Sequence, residues 1–249
     1  MKIQAYMGVY NEADVLPWVL DYMSHQGVDV HVLDGWSTDA SYEIAQAAFT
    51  VGVTVERYPA DPAAAPQFVY RGFLHHVEDL AEASGADWCM LSDADEWRSS
   101  NRPGETLAEG LERLDTAGWT LVDHQVRTFL CTDDGWHGQC PPPDYFHYYA
   151  PRESDMLARL PNVKTWKNIG RVRLAPSGGH IAVLPRNRMP AEKFRLDHYP
   201  YRNPAQAAAK LASRLARRCE EEHRQGWGVH YDEQFPAGFL WDPKALICS

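Results

Sequence analysis

The chain has 249 residues, 45% of them hydrophobic, enough to bury the core of a single domain. Its 24 basic and 34 acidic residues give a formal charge of −10, which argues against a surface built to grip nucleic acid or an anionic membrane. No apolar run is long enough to cross a bilayer, and "MKIQAYMGVYNEAD" lacks the apolar core and small-residue cleavage site of a signal peptide, so a cytoplasmic protein is expected.

The opening "KIQAYMGVY" has the apolar, β-branched and aromatic make-up of a strand, stopped by "NEAD". In "DVLPWVLDYMSHQG", Val15, Trp18, Val19 and Tyr22 recur at helical spacing until Gly27. "VDVHVLD" reads as a second strand, "STDASYEIAQAAFTVG" as a helix capped by Ser37 or Thr38, and "VTVERYP" as a third strand. A Pro/Ala loop then leads into a helix ending at Gly85, and "ADWCMLSDADE" reads as a fourth strand whose carboxylates fall at its end. Strands alternating with helices predict a three-layer α/β/α, Rossmann-like fold around a mostly parallel sheet.

Beyond residue 105, "TLAEGLERLDTAG" looks helical and "WTLVDHQVRTFL" looks like one strand. Residues 131–160 show no period and read as a loop, and "RVRLAPSGGHIAVL" reads as short strands or a hairpin. "NPAQAAAKLASRLARRCEEEHRQGWG" is a clear C-terminal helix with Asn203 as cap, Pro204 first and Gly226 as stop. The five cysteines fit reduced thiols. Cys131, His137, Cys140 and His147 supply four zinc-type ligands, but their spacing matches no common module and prolines 141–143 split them, which favours an exposed loop.

In "SDADE", Asp93, Asp95 and Glu96 crowd three carboxylates, which repel unless they fan into water or hold a cation. On a strand Asp93 and Asp95 would share a face, and a hard divalent ion such as Mg²⁺ or Mn²⁺ suits one or two such carboxylates completed by phosphates. A solvated turn is the competing reading. In open α/β sheets ligands gather beyond the carboxyl ends of the strands, so "YNEAD", "DGWSTD" and "SDADE" are expected to converge on one cleft.

These three ordered motifs, with "GVTVERYP" between them and "LDHYPYRNPAQAAAK" later, resemble the inverting family 2 glycosyltransferases of the GT-A fold. The similarity runs from residue 6 to about 210 and is greatest to the branch with an Asn-Glu opening and an Asp-Ala-Asp-Glu metal motif. It implies a donor half over 1–105, an acceptor side over 106–202 and a C-terminal helix and tail over 203–249. It places Asn11 and Glu12 beside the nucleoside, Asp34 near base or ribose and Asp39 in support of that loop. Asp93 is implied at ribose or metal, with Asp95 as the main metal ligand and a catalytic residue. Gly35 and Trp36 stand where many relatives carry a second acid, so a UDP-, GDP- or dTDP-sugar donor remains open.

Asp197 is the expected catalytic base, with Asp133, Asp134 and Asp155 as rivals. His198 is read as third metal ligand, phosphate donor or packed core residue, and His180 as a weaker counterpart. Arg202 and Lys210 are positioned to neutralise a diphosphate, while Gln67, Tyr70 and Arg71 either face the donor sugar or form one helix face. "ARRC" and "EEEH" read as a solvated helix. A nucleotidyltransferase and a non-catalytic nucleotide- or glycan-binding module are the alternatives. The acceptor is open among a glycan, a protein, a lipid-linked molecule and a small metabolite.

Overall fold

A computed structural model describes residues 1–48, 52–66, 68–225 and 237–249. The first part alternates as the periodicity predicts: β1 (Ile3–Val9), α1 (Leu16–His25), β2 (Asp29–Asp34), α2 (Ser41–Ala47), β3 (Val53–Arg57), α3 (Tyr70–Ala83) and β4 (Trp88–Asp93). These four strands run parallel, with β1 between β2 and β4 and β3 outside β2. Because successive side chains on a strand point to opposite faces, Ile3, Ala5, Met7 and Val9 pack on one side with Leu16, Val19, Leu20 and Met23 of α1. Tyr6, Leu33 and Leu91 pack on the other with Phe73, Leu74 and Val77 of α3. The sheet is thus buried between helices on both faces, in the expected three-layer α/β arrangement.

The fourth strand stops at Asp93, not at Glu96. Residues 94 and 95 turn, and β5 (Glu96–Ser99) starts a second sheet. After β5, α4 (Leu107–Thr116) opens on a capping box in which Thr106 and Glu109 satisfy each other's backbone N–H groups, and it packs beside α1. The single strand read from "WTLVDHQVRTFL" breaks at Asp123, whose carboxylate takes the Asn162 N–H and the Lys193 ammonium. As a result β6 (Leu121–Val122) edges the first sheet while β7 (His124–Leu130) enters the second.

Residues 131–160 are not an exposed loop. They carry α5 (Pro142–Tyr145), β8 (Tyr148–Tyr149) and α6 (Met156–Arg159), they bury Trp136 and Phe146, and the buried Cys131 thiol donates to the Phe239 carbonyl. The segment "RVRLAPSGGHIAVL" forms single bridges, Arg173 to Val183 and Ile181 to Val163, around a short 3-10 turn. The first sheet has the order β3-β2-β1-β4-β9-β6, with β9 (Thr165–Lys167) antiparallel to both neighbours. With β10 (Phe194–Tyr201) and β11 (Ile247–Cys248), the second sheet is ordered β11-β8-β7-β10-β5.

The chain then forms α7 (Pro204–Arg217), capped by Asn203, whose side chain accepts the Gln206 N–H. Arg218 is extended and bridges Phe68, which separates α7 from α8 (Glu220–Gln225). The expected stop at Gly226 lies outside the described residues. Among the described residues no helix is long and apolar enough to cross a membrane.

Candidate functional site

Register sets the site. Val9 pairs with Asp34 and Gly8 with Asp93, so the segments following β1, β2 and β4 leave the sheet side by side. The first two are stitched together. Asn11 donates its backbone N–H to Ser37 Oγ and its side-chain amide to Thr38 Oγ1, and its Oδ1 accepts the Thr38 N–H. Asp39 accepts from Ala13 N–H with one oxygen and from Ser41 N–H and Oγ–H with the other, while Ser41 Oγ accepts the Glu12 N–H. Ser37 and Thr38 therefore clamp Asn11 and do not cap α2, whose N-cap position is Ala40. Asp34 is fully buried, and its Oδ2 accepts the Ser37 N–H and the Arg57 guanidinium.

The crowded acids are separated by built-in cations. Lys164, almost fully buried just before β9, places its ammonium 3.1 Å from Asp93 Oδ2 and 3.1 Å from Glu96 Oε1. Arg98 takes the other Glu96 oxygen. Asp95, in the turn between the sheets, is held by Lys210 Nζ at 2.6 Å and faces His198 Nε2 at 3.6 Å. Asp93 closes β4 and Asp95 lies in the turn after it, so the two are not a pair on one strand face, and each has its own ammonium. Lys210 also reaches Glu12 Oε1 at 2.8 Å, and the fully buried Arg202 grips Glu12 Oε2 at 2.6 Å and both Asp14 oxygens at 2.9 and 3.0 Å. Glu12, Asp95, His198, Arg202 and Lys210 thus meet in one network.

Burial alone would push the Asp95 carboxyl up, yet Lys210 and His198 hold it well below the usual carboxylate range. Burial likewise opposes ionisation of Asp93, and Lys164 outweighs it. Burial disfavours the charged forms of Lys164, Lys210 and His198, but the neighbouring carboxylates raise all three. Asp93 remains half-exposed, with side-chain accessibility of 45%. A cavity of about 510 Å³ adjoins the network, lined among others by Tyr10, Asn11, Glu12, Asp39, Lys210 and Arg214.

Asp197 is not brought to this cluster. It neighbours His198 on β10 and so faces the opposite way, where Arg127, its cross-strand partner, grips both carboxylate oxygens at 2.7 and 2.8 Å and Arg195 adds a third contact at 3.1 Å. With both oxygens engaged by the Arg127 fork and turned away from the cluster, Asp197 is not positioned beside it as the expected base would be. The rivals do not join the network either: Asp133 fastens its loop to Tyr145 and Gly135, Asp134 is exposed, and Asp155 is buried against the Ala158 N–H. Arg71 lies in the first turn of α3, and its neighbour Tyr70 stands close enough to Asp93 and Lys164 to feel their charges. His180 lies near Lys164, and burial with that ammonium lowers its pKa. Gln67 lies outside the described residues.

Lys164, Asp14 and Arg214 escaped the sequence reading. Lys164 sits in "PNVKTW", which carries no local mark of function. Arg214 was legible as one turn beyond Lys210 on the same helix face.

No family model matches this chain, and neither does any curated protein. Among solved structures, a mannosyltransferase from Pyrobaculum calidifontis, in complex with GDP-Man and Mn²⁺, is 18% identical over 49% of this chain and 35% of its own, with a TM-score of 0.37. Glucosyl-3-phosphoglycerate synthase from Mycobacterium tuberculosis, in complex with phosphoglyceric acid, is 22% identical over 51% of this chain and 43% of its own, with a TM-score of 0.34. An apo UDP-glucose pyrophosphorylase is 8% identical over 91% of this chain and all of its own, with a TM-score of 0.35. This chain thus spans less than half the length of the first two.

Proposed function

We propose that this chain is an inverting glycosyltransferase of GT-A type that takes a sugar from a nucleoside-diphosphate donor and passes it to an acceptor hydroxyl. The observation that carries this reading is the meeting of Glu12, Asp95, Arg202 and Lys210 at the carboxyl edge of a parallel sheet, beside a cavity of about 510 Å³. That edge is where α/β folds bind ligands. Alternating carboxylates and ammonium groups, desolvated together, suit a polyanion that arrives with its own counter-charge.

The roles follow from the placements. Asn11 and Asp39 fix the two loops, so the cavity wall is preformed before donor binds. Lys210 and Arg214 project from α7 one turn apart and offer positive charge to the diphosphate. Charge that builds on the departing diphosphate is then stabilised by groups already in position, which require little reorganisation. Arg202 neutralises Glu12 and Asp14, and Lys164 pairs its ammonium with Asp93 and Glu96 beside the cleft.

A divalent cation of the Mn²⁺ or Mg²⁺ type fits the chemistry of the donors. The carboxylates of Asp95 and the half-exposed Asp93 are oxygen donors of the kind such ions take, and among the described residues no three His, Cys, Asp or Glu side chains gather into a metal-holding group. Such ions are commonly held by one or two carboxylates with phosphates completing the shell. When bound, the ion supplies further positive charge at the leaving group.

Incubation with a panel of nucleotide-sugars and Mn²⁺, followed by product analysis, tests the reading. Release of nucleoside diphosphate by the wild type, lost in an Asp95→Asn variant that is shown to be folded, supports it. Release of pyrophosphate would identify a nucleotidyltransferase, and full turnover in Asp95→Asn would refute the assignment.

A further inference from the structure

The C-terminal end of α7 fills a planar slot beside the loops after β1 and β2. Arg217 lies with its guanidinium carbon 3.7 Å from the Tyr10 ring centre and 5.4 Å from that of Phe68, so it is flanked by two aromatic rings. One nitrogen, Nη2, donates to two backbone carbonyls, Gly35 O at 3.1 Å and Ala65 O at 3.3 Å. Asp34, the buried acid at the end of β2 and the chain neighbour of Gly35, leaves Oδ1 without a hydrogen-bond partner among the described residues. Gly35 permits this approach. A methyl group at that position would stand 3.3 Å from Arg217 Nη2 and 3.3 Å from the Val9 carbonyl, so a larger side chain would intrude on the slot.

The slot therefore offers flat apolar walls and two carbonyl acceptors converging on one amine position, and the residue before Gly35 carries an unsatisfied carboxylate oxygen. A ligand that replaces the guanidinium must be planar, carry a primary amine and present a second N–H donor. Guanine meets all three: its C2 carries three nitrogens, as the guanidinium carbon does, with the exocyclic amine next to the ring N1–H. Uracil and thymine present a single N–H between two carbonyl oxygens, which would face the Gly35 and Ala65 carbonyls in repulsion. Hypoxanthine keeps the ring N–H but lacks the amine.

We infer that Tyr10, Gly35, Ala65 and Phe68 form the nucleobase slot, that it selects guanine, and that Arg217 is an internal occupant which must withdraw before a guanosine diphosphate donor binds. The inference rests on the nucleoside-diphosphate reading above and deepens it. Because an unoccupied slot is available only to the fraction of molecules in which Arg217 has moved, the occupant lowers the apparent affinity by that fraction.

The test is calorimetric titration of GDP, IDP and UDP, each with Mn²⁺, into the full chain and into Arg217→Ala. In the wild type, GDP is expected to bind tighter than IDP and UDP by on the order of tenfold to a hundredfold, since the analogues leave buried carbonyls unpaired. Arg217→Ala is expected to tighten GDP binding severalfold while keeping the preference. Equal binding of the three nucleotides would overturn the inference and leave the diphosphate site standing. Weaker GDP binding in a folded Arg217→Ala would overturn the internal-occupant role. Binding of no nucleotide to either protein would overturn the slot and the nucleoside-diphosphate reading together. The wild-type comparison of GDP with IDP decides base selection even if the variant fails to fold.

Discussion

Replacing Lys164 by Met removes one ammonium and leaves two acids behind. Its Nζ lies 3.1 Å from both Asp93 and Glu96, and Lys164 and Glu96 are 7% and 5% exposed, so both charges of that pair are largely desolvated. Breaking a buried ion pair by deleting one partner costs about 3–5 kcal/mol. Arg98 continues to hold Glu96 and Asp93 can turn to water, so the lower end, about 3 kcal/mol, is expected. For a chain of this size each kcal/mol moves the melting temperature by about 2–4 °C, giving a fall of roughly 6–12 °C. The sign of the pH dependence is fixed as well. Asp93 has a depressed folded pKa, so its contribution is complete above the unfolded value of about 3.9 and lost as pH falls through the folded value. The gap between wild type and Lys164→Met should therefore narrow in acid, and Lys164→Arg should recover part of it. Calorimetric melts at neutral pH and well below about pH 3.9 measure both effects. A loss under 2 °C at neutral pH would mean that the acids are a solvated turn.

Asp197→Ala strips the bidentate partner from the partly buried Arg127 and should cost about 2 kcal/mol in urea unfolding, with catalytic loss following stability; a large fall in kcat at unchanged stability would restore Asp197 as a base. His124 is buried against the Asn162 carbonyl, and burial followed by the Arg98 charge keeps its pKa well below the ordinary value. A depressed His pKa means that the unfolded chain takes up the proton first, so stability should fall as pH drops below about 6.5, and His124→Gln should flatten that limb in pH-dependent melts. Thr106→Ala breaks the capping box of α4 and should cost about 1 kcal/mol, read as a shift of about 2–4 °C in the melting temperature.

Local pattern carried much of the fold. The alternation from β1 to β4, the apolar stripes of α1 and α3, and the Asn203–Pro204 start of α7 all depend on neighbours within a few residues, which a sequence displays directly. The second sheet was less legible because its pairings join distant segments: β5 meets β10 across about a hundred residues, and the turn at 94–95 that creates it looks like a continuing strand. The same division holds at the site. Asp93, Asp95, Glu12 and Lys210 announced themselves by charge and motif, whereas Lys164 acquires its role from partners 68 and 71 positions away. Asp197 shows the opposite failure. Its place beside His198 looked favourable, yet strand alternation sends adjacent side chains to opposite faces, so the nearness in sequence was itself a sign against a shared site. Gly35, which looked like a lost acid, leaves the room that Arg217 fills.

The most direct measurement is a thermal-shift titration of nucleoside diphosphates, with and without Mn²⁺, on wild type, Asp95→Asn and Lys210→Met. A ligand that binds only the folded chain raises the melting temperature by mass action, by an amount set by its concentration relative to Kd. At least one diphosphate should stabilise the wild type, with the shift enlarged by Mn²⁺, reduced in Lys210→Met and largely lost in Asp95→Asn. If no nucleoside diphosphate shifts the wild type under either metal condition, or if both variants respond as the wild type does, the Glu12–Asp95–Lys210 network is a structural ion-pair cluster and not a donor site.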